Sequence, residues 1–133
     1  MNKNKKVLLG GAATVLAGIG IYKYLNAQKT NGHENWTTAD IPDLTGKVMI
    51  VTGANNGLGF ETAKELACKG AQTILACRSI DKAQAALDEI QAEIPDAPAE
   101  IMPLDLASQE SVHKFAEMFK GKYDRLDVLV NNA

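Results

Sequence analysis

One stretch of the chain, residues 47–59, joins a strand pattern to a glycine-rich loop and then to a helical pattern. Residues 48–51 are four consecutive apolar residues, which is typical of a strand buried on both faces inside a parallel sheet. Glycine lets the main chain approach a ligand closely, and the first N–H groups of a helix favour an anion. The stretch therefore predicts a phosphate-binding loop, with the spacing T-G-x-x-x-G-x-G and glycines at Gly53, Gly57 and Gly59.

Strand and helix patterns alternate from Lys47 onward, which predicts an α/β fold with a parallel sheet. With right-handed crossovers, four strands and three helices form the N-terminal half of a doubly wound sheet, plus one strand beyond its switch point. The strands are expected at residues 48–51, 73–76, 100–104 and 127–130.

Polar residues and glycines mark the predicted helix ends. The first helix is expected over residues 57–69 with Gly70 as its stop, and Ser79 is expected to cap the second helix. Ser108 is expected to cap the third helix, which Gly121 closes. The spacing i, i+3, i+4, i+7 places four apolar residues of the third helix toward the core: Val112, Phe115, Ala116 and Phe119.

Short motifs after the later strands resemble those of the short-chain dehydrogenase/reductase family. Residues 76–78 read Ala-Cys-Arg, residues 104–106 read Leu-Asp-Leu, and residues 131–133 read Asn-Asn-Ala. The lead-in at residues 41–47 is similar to that of retinol-dehydrogenase-like and protochlorophyllide-reductase-like members. The resemblance covers residues 36–133 and implies a Rossmann sheet and an NADP-dependent oxidoreductase.

The resemblance also implies which residues contact the cofactor. Arg78 indicates NADP rather than NAD, because a guanidinium accommodates a 2′-phosphate where NAD enzymes carry an acidic residue. Asp105 is expected to bind the adenine amino group; the alternative is a carboxylate that caps local backbone near Ser108. The predicted cofactor-binding residues are Gly53, Asn55, Asn56, Gly57, Leu58, Gly59, Arg78, Asp105, Leu106, Asn131, Asn132 and Ala133.

Members of the family transfer a hydride between the nicotinamide and a carbonyl or alcohol substrate with a Tyr-x-x-x-Lys pair, which this sequence lacks. Its tyrosines, at 22, 24 and 123, are followed four positions later by Asn26, Gln28 and Asp127. We therefore expect the N-terminal, cofactor-binding portion of such an enzyme, without catalytic residues and with residues 128–130 as a bare apolar sheet edge. The alternatives are a short product that binds nucleotide or pairs with full-length subunits, and a C=C reductase of the same fold.

The N-terminal residues predict a membrane anchor. Residues 7–22 carry no charge, and if the apolar stretch extends to residue 25 a helix spans roughly 28 Å, close to the ~30 Å of a bilayer core. A secretory signal peptide and a mitochondrial presequence are the competing interpretations. The expected organisation is an anchor over residues 1–25, a linker over residues 26–46 and the cofactor domain over residues 47–133. The side of the membrane stays open, although access to cofactor favours a cytosol-facing domain.

Charge and cysteine content exclude some other classes. A net charge of −2 argues against a nucleic-acid partner. Cys68 and Cys77 lack the spacing of metal ligands, so we expect no metal site and two reduced thiols that act as small buried residues. The expected partners are a small, lipophilic carbonyl or alcohol substrate and the membrane; a homo-oligomer is left open.

Overall fold

The computed structural model describes residues 36–133, which contain one parallel sheet with strand order β3-β2-β1-β4. The predicted parallel, Rossmann-like α/β sheet of four strands is confirmed. A short 3₁₀ helix, Thr38–Asp40, precedes the sheet. The elements that follow are β1 Val48–Thr52, α1 Gly57–Cys68, β2 Gln72–Cys77, α2 Ile80–Glu93, β3 Ala99–Pro103, α3 Gln109–Lys122 and β4 Val128–Val130.

The predicted membrane anchor, residues 1–25, lies outside the described residues, as does the predicted linker up to residue 35. Within residues 36–133, none of the helices has the length and apolar character needed to cross a bilayer.

The two central strands separate two apolar clusters. All five residues of β1 are buried, as the unbroken apolar run predicted. Along β2, Leu75 and Cys77 pack on the face covered by α1 and α2, whereas Ile74 and Ala76 pack on the face covered by α3. Because side chains alternate across a strand, the sequence of β2 serves both faces of the sheet.

Two of the four predicted helix ends are correct. Gly70 follows α1 with φ +88°, and the Ser108 hydroxyl accepts a hydrogen bond from the Ser111 N–H at the start of α3. Ser79 occupies the N-cap position of α2, but its side chain makes no capping bond; its main-chain carbonyl accepts from Ala83 N–H instead. Gly121 does not close α3, which runs on to Lys122 because Gly121 does not adopt the positive φ that ends such a helix.

Two predictions of burial are wrong. Val112 is 39% exposed, because it lies in the first turn of α3, while Phe115 and Phe119 further along the helix carry the contact with the sheet. Cys68 is exposed at the last position of α1, one residue beyond the buried Ala67. Cys77 is buried as expected, and both thiols are free.

Strand β4 forms one edge of the sheet and joins it through Asp127. One carboxylate oxygen of Asp127 accepts a hydrogen bond of 2.9 Å from the Val48 N–H, and the Asp127 N–H donates to the Val48 carbonyl at 2.8 Å. Arg125 and Lys47 contact the same carboxylate. Within β4, Val128 and Leu129 are 42% and 49% exposed, so the predicted apolar edge is present.

The charges around Asp127 predict how stability depends on pH. The Arg125 guanidinium first, and the Val48 N–H next, lower the pKa of Asp127 to about 2. Because the native pKa is depressed, this contribution to stability is present above roughly pH 4 and is lost as the pH falls toward 2. We expect Asp127→Asn to lower the free energy of unfolding at neutral pH and to flatten its decline between pH 4 and 2, as measured by urea denaturation.

Asp124→Asn is the matched control, since Asp124 makes no ion pair or hydrogen bond within residues 36–133. An acid profile of Asp127→Asn identical to that of the unsubstituted chain would contradict the role given to this carboxylate.

Candidate active-site half

The Thr52 hydroxyl ties the carboxyl ends of β1 and β4 together. It donates to the Val130 carbonyl at 3.3 Å and accepts from the backbone N–H groups of Asn132 at 3.0 Å and Ala133 at 3.1 Å. Thr52 itself is 3% exposed, so the hydroxyl at the centre of this arrangement is buried. It fixes residues 131–133 directly beside the glycine-rich loop.

The Asn132 side chain adds further hydrogen bonds between the segment after β4 and the glycine-rich loop. Its Nδ2 donates to the carbonyls of Thr52 at 3.1 Å and Gly53 at 3.4 Å. A Cβ on Gly59 would lie 2.5 Å from both Asn132 Nδ2 and the Gly53 carbonyl oxygen, and a Cβ on Gly53 would lie 2.7 Å from the Ala133 Cβ. Two of the three predicted glycines are therefore required by close approach of the segment after β4, in addition to any ligand.

The glycine-rich loop ends at an uncapped helix start. Asn56 stands at the N-cap of α1 in an extended conformation without a side-chain capping bond, and Gly57 has φ +56°. The first helical hydrogen bond runs from Phe60 N–H to the Asn56 carbonyl. Within residues 36–133 the N–H groups of residues 57–59 have no acceptor, which leaves them available to an anion.

A cavity of about 330 Å³ opens at the carboxyl ends of the strands, where ligands bind in open α/β sheets. It contains six of the predicted cofactor residues, from the loop after β1, the end of β2, the loop after β3 and the segment after β4. The cavity is lined by Thr52, Gly53, Asn55, Ala76, Arg78, Leu104, Asp105, Leu106, Ala107 and Ala133.

Arg78 brings to this cavity a positive charge that has no ion-pair partner among the described residues. It is exposed, and its guanidinium makes no ion pair or hydrogen bond with the described part of the chain. Asp105, unlike Arg78, is hydrogen-bonded within the described chain. Its Oδ1 accepts from Ala107 N–H at 3.0 Å, and its own N–H donates to Ser111 Oγ at 2.8 Å. The local role weighed for Asp105 is thus present, and it leaves Oδ2 facing no partner among residues 36–133.

The structure does not bring every predicted site residue into the cavity. Asn56, Gly57, Leu58 and Gly59 form the loop end and the start of α1, and Asn132 and Asn131 lie beside them after β4. Reasoning from sequence missed Thr52, the residue that connects the two strands. The signal was a hydroxyl residue at the end of an otherwise aliphatic buried strand.

Tyr123, the only tyrosine among the described residues, is not placed for acid–base chemistry. Its hydroxyl donates to a Glu100 carboxylate oxygen, and Phe119 stacks near its ring. Burial, followed by the Glu100 carboxylate, raises the pKa of Tyr123 well above the usual value of a tyrosine. The residue four positions on is Asp127 rather than a lysine.

These features fit a dinucleotide phosphate. The glycines allow close approach, the start of α1 offers free N–H donors, Arg78 offers a guanidinium, and the volume lies within the range of small-molecule sites, about 300–1,000 Å³. A family model described as short chain dehydrogenase matches residues 47–133. The chain therefore belongs to the short-chain dehydrogenase/reductase family.

Relatives of known sequence agree with this assignment. The chain is 47% identical over 105 residues to the short chain dehydrogenase/reductase dpchH of Colletotrichum higginsianum, which covers 77% of this chain and 26% of the relative. It is 44% identical over 90 residues to retinol dehydrogenase 12 of Bos taurus, covering 68% and 28%. The chain thus spans less than a third of these relatives.

Solved structures share the fold and hold the predicted cofactor. A short chain dehydrogenase from Escherichia coli CFT073 complexed with NADPH has a TM-score of 0.63 and 33% identity, over 68% of this chain and 39% of that one. A metagenomic short-chain oxidoreductase in complex with NADP has a TM-score of 0.63 and 37% identity, over 68% and 40%.

Substitutions of Thr52 test whether its hydroxyl stabilises the contact between β1 and the segment after β4. Thr52→Val keeps the shape of the side chain but leaves the Ala133 N–H without an acceptor and the Asn132 N–H with the Val130 carbonyl alone, whereas Thr52→Ser keeps the hydroxyl. We expect Val to cost about 1–3 kcal/mol of unfolding free energy and Ser clearly less, measured by chemical denaturation. Equal losses for both variants would show that the methyl group, not the hydroxyl, carries the effect.

Proposed function

We propose that this chain is the cofactor-binding portion of an NADP-dependent oxidoreductase that acts on a carbonyl or alcohol substrate. The observation that carries the proposal is the unpaired Arg78 guanidinium in the lining of the cavity, together with the free N–H groups at the start of α1. A phosphate monoester and a pyrophosphate are the groups that two such donors recognise. Membership of the family and the NADP-bound solved structures support the same ligand.

Each residue of the site has a binding role in this proposal. The N–H groups of residues 57–59 hold the pyrophosphate, Arg78 holds the 2′-phosphate, and Asp105 with Leu106 borders the adenine. Asn132 and Thr52 keep the loop in place. When bound, the cofactor would supply a hydride to a carbonyl, or accept one from an alcohol, at its nicotinamide.

The exposed edge of β4 supports the further proposal that this portion works within a longer enzyme. Val128 and Leu129 present apolar side chains and strand edge to solvent, and a neighbouring strand would cover both. The proton-transferring residues of that enzyme would then come from outside residues 36–133, since Tyr123 is held by Glu100. The environment of Tyr123 equally supports the second candidate, a chain that binds nucleotide without catalysis.

Titration of the 133-residue chain with NADPH and with NADH tests the proposal. We expect saturable binding that favours NADPH, and Arg78→Ala to raise the dissociation constant for NADPH by about tenfold to a hundredfold, because a charge-assisted bond to phosphate is lost. The constant for NADH should change little. Binding is measured by isothermal titration calorimetry.

Lys82→Ala is the matched control, since it removes an equal charge from an exposed position of α2 that does not line the cavity. Equal losses for NADPH and NADH in Arg78→Ala would overturn the assignment of the 2′-phosphate.

We further propose that residues 1–25 anchor the protein to a membrane and that the substrate is lipophilic. The support is the charge-free run at residues 7–22 between lysines. In cells, we expect the tagged full chain to stay in the membrane pellet after carbonate extraction, and a chain beginning at residue 26 to move to the supernatant. Full-length chain in the carbonate supernatant would contradict the anchor.

A further inference from the structure

The loop between β3 and α3, residues 104–108, leaves one main-chain donor and one carboxylate oxygen free at the cavity. The Ala107 N–H donates to Asp105 Oδ1 at 3.0 Å, and the Ser108 N–H donates to the Asp105 carbonyl at 3.1 Å. Within residues 36–133, the Leu106 N–H has no acceptor and Asp105 Oδ2 has no donor. Asp105 and Leu106 both line the cavity, so a donor and an acceptor are available there side by side.

The Ser111 hydroxyl fixes the main chain of this loop. Ser111 lies in the first turn of α3, and its Oγ accepts the Asp105 N–H at 2.8 Å in a half-buried position. Its own N–H donates to Ser108 Oγ at 3.2 Å, so the bond to Asp105 is separate from the cap of the helix. Ser111 does not line the cavity. Its hydroxyl can therefore affect a bound ligand only through Asp105.

A free donor beside a free acceptor matches one edge of adenine. The 6-amino group of adenine is a donor and its N1 is an acceptor, whereas hypoxanthine carries a 6-oxo acceptor and an N1–H donor at the same positions. A half-buried N–H without an acceptor costs free energy, so loss of the Ser111 hydroxyl would favour loop conformations that turn the Asp105 N–H toward water. Such a turn would displace the carboxylate that the base meets.

We propose that Ser111 is a positioning residue for the recognition of adenine: its hydroxyl holds the Asp105 main chain so that Asp105 Oδ2 and the Leu106 N–H meet the 6-amino group and N1 of the base together. The effect on the base rests on the function proposed above. The effect on the loop stands on the free protein.

The competing interpretation is that Ser111 only stabilises the start of α3. Ser108 supplies the control, because Ser108→Ala removes the helix cap and leaves the acceptor of the Asp105 N–H in place. Ser111→Ala does the reverse, since it removes that acceptor and keeps the main-chain N–H that donates to the cap. Ser111→Thr keeps the hydroxyl and is the conservative variant.

The first experiment measures amide hydrogen exchange, residue by residue, by NMR on the 133-residue chain without cofactor. The reference is the Val112 N–H, which donates to the Ser108 carbonyl at 3.1 Å and reports fraying of the first turn of α3. We expect Ser111→Ala to speed exchange at Asp105 by about threefold or more relative to Val112, and Ser111→Thr to restore much of the protection. Ser108→Ala should speed both amides together and leave their ratio unchanged.

The second experiment titrates the same variants with NADPH and with deamino-NADPH, in which hypoxanthine replaces adenine. We expect the unsubstituted chain to prefer NADPH by about tenfold or more, because a site built for the amino group rejects the oxo group. Ser111→Ala should raise the dissociation constant for NADPH about 3–10-fold and leave that for the analogue within twofold. Ser111→Thr and Ser108→Ala should keep the preference.

Each arm has a result that would overturn one step. Exchange at Asp105 that follows Val112 in Ser111→Ala would overturn the positioning role. Faster exchange with an unchanged preference for NADPH would overturn its link to the base, as would an unsubstituted chain that binds NADPH and its analogue equally well. An unsubstituted chain that binds neither dinucleotide would instead overturn the proposed function, while the exchange ratio would still decide the role of Ser111 in the loop.

Discussion

The site depends on one buried hydroxyl. Thr52 stands at the end of β1, where the chain leaves the sheet, and its hydroxyl bonds three main-chain groups: one on Val130, the last residue of β4, and two in the segment after it. A hydroxyl is suited to this position because it donates once and accepts twice, which matches a carbonyl and two N–H groups. The loop after β1 and the segment after β4 are thereby held at a fixed separation before any ligand binds.

That fixed separation explains the glycines better than the ligand alone does. At Gly59 and Gly53 the space for a Cβ is occupied by Asn132, Ala133 and loop backbone. The segment after β4 is therefore in close contact with the loop. Gly57 differs, because nothing lies within 4 Å of its Cβ position and its φ of +56° is the constraint. One motif therefore combines two physical demands: contact between segments and a left-handed turn that exposes the helix start.

The charged side chains at the two ends of the sheet differ in whether they have partners. At the amino end, Asp127 is satisfied by Arg125, Lys47 and Val48 N–H, and it fastens the edge strand. At the carboxyl end, Arg78 has no such partner within the described residues. Ion pairs near the amino end serve the fold, while the uncompensated guanidinium at the carboxyl end is available to a ligand.

Local patterns were sufficient for the order of elements and for the parallel sheet, because apolar runs, helical spacing and loop glycines act over a few residues. They failed where an outcome depends on neighbours distant in sequence. Val112 matched the apolar spacing of α3 but is exposed. Gly121 does not end α3, because this glycine does not adopt the positive φ of a C-cap.

The sequence by itself determined the strand–loop–helix unit, the family resemblance and the set of residues at the strand ends. Only the tertiary structure decided which of them meet: the Thr52 hydroxyl accepts from the N–H groups of Asn132 and Ala133, and the Asn132 side chain donates to the carbonyls of Thr52 and Gly53. The physical reason is that these contacts join residues brought together by strand order, up to 81 positions apart, for which no local pattern carries information.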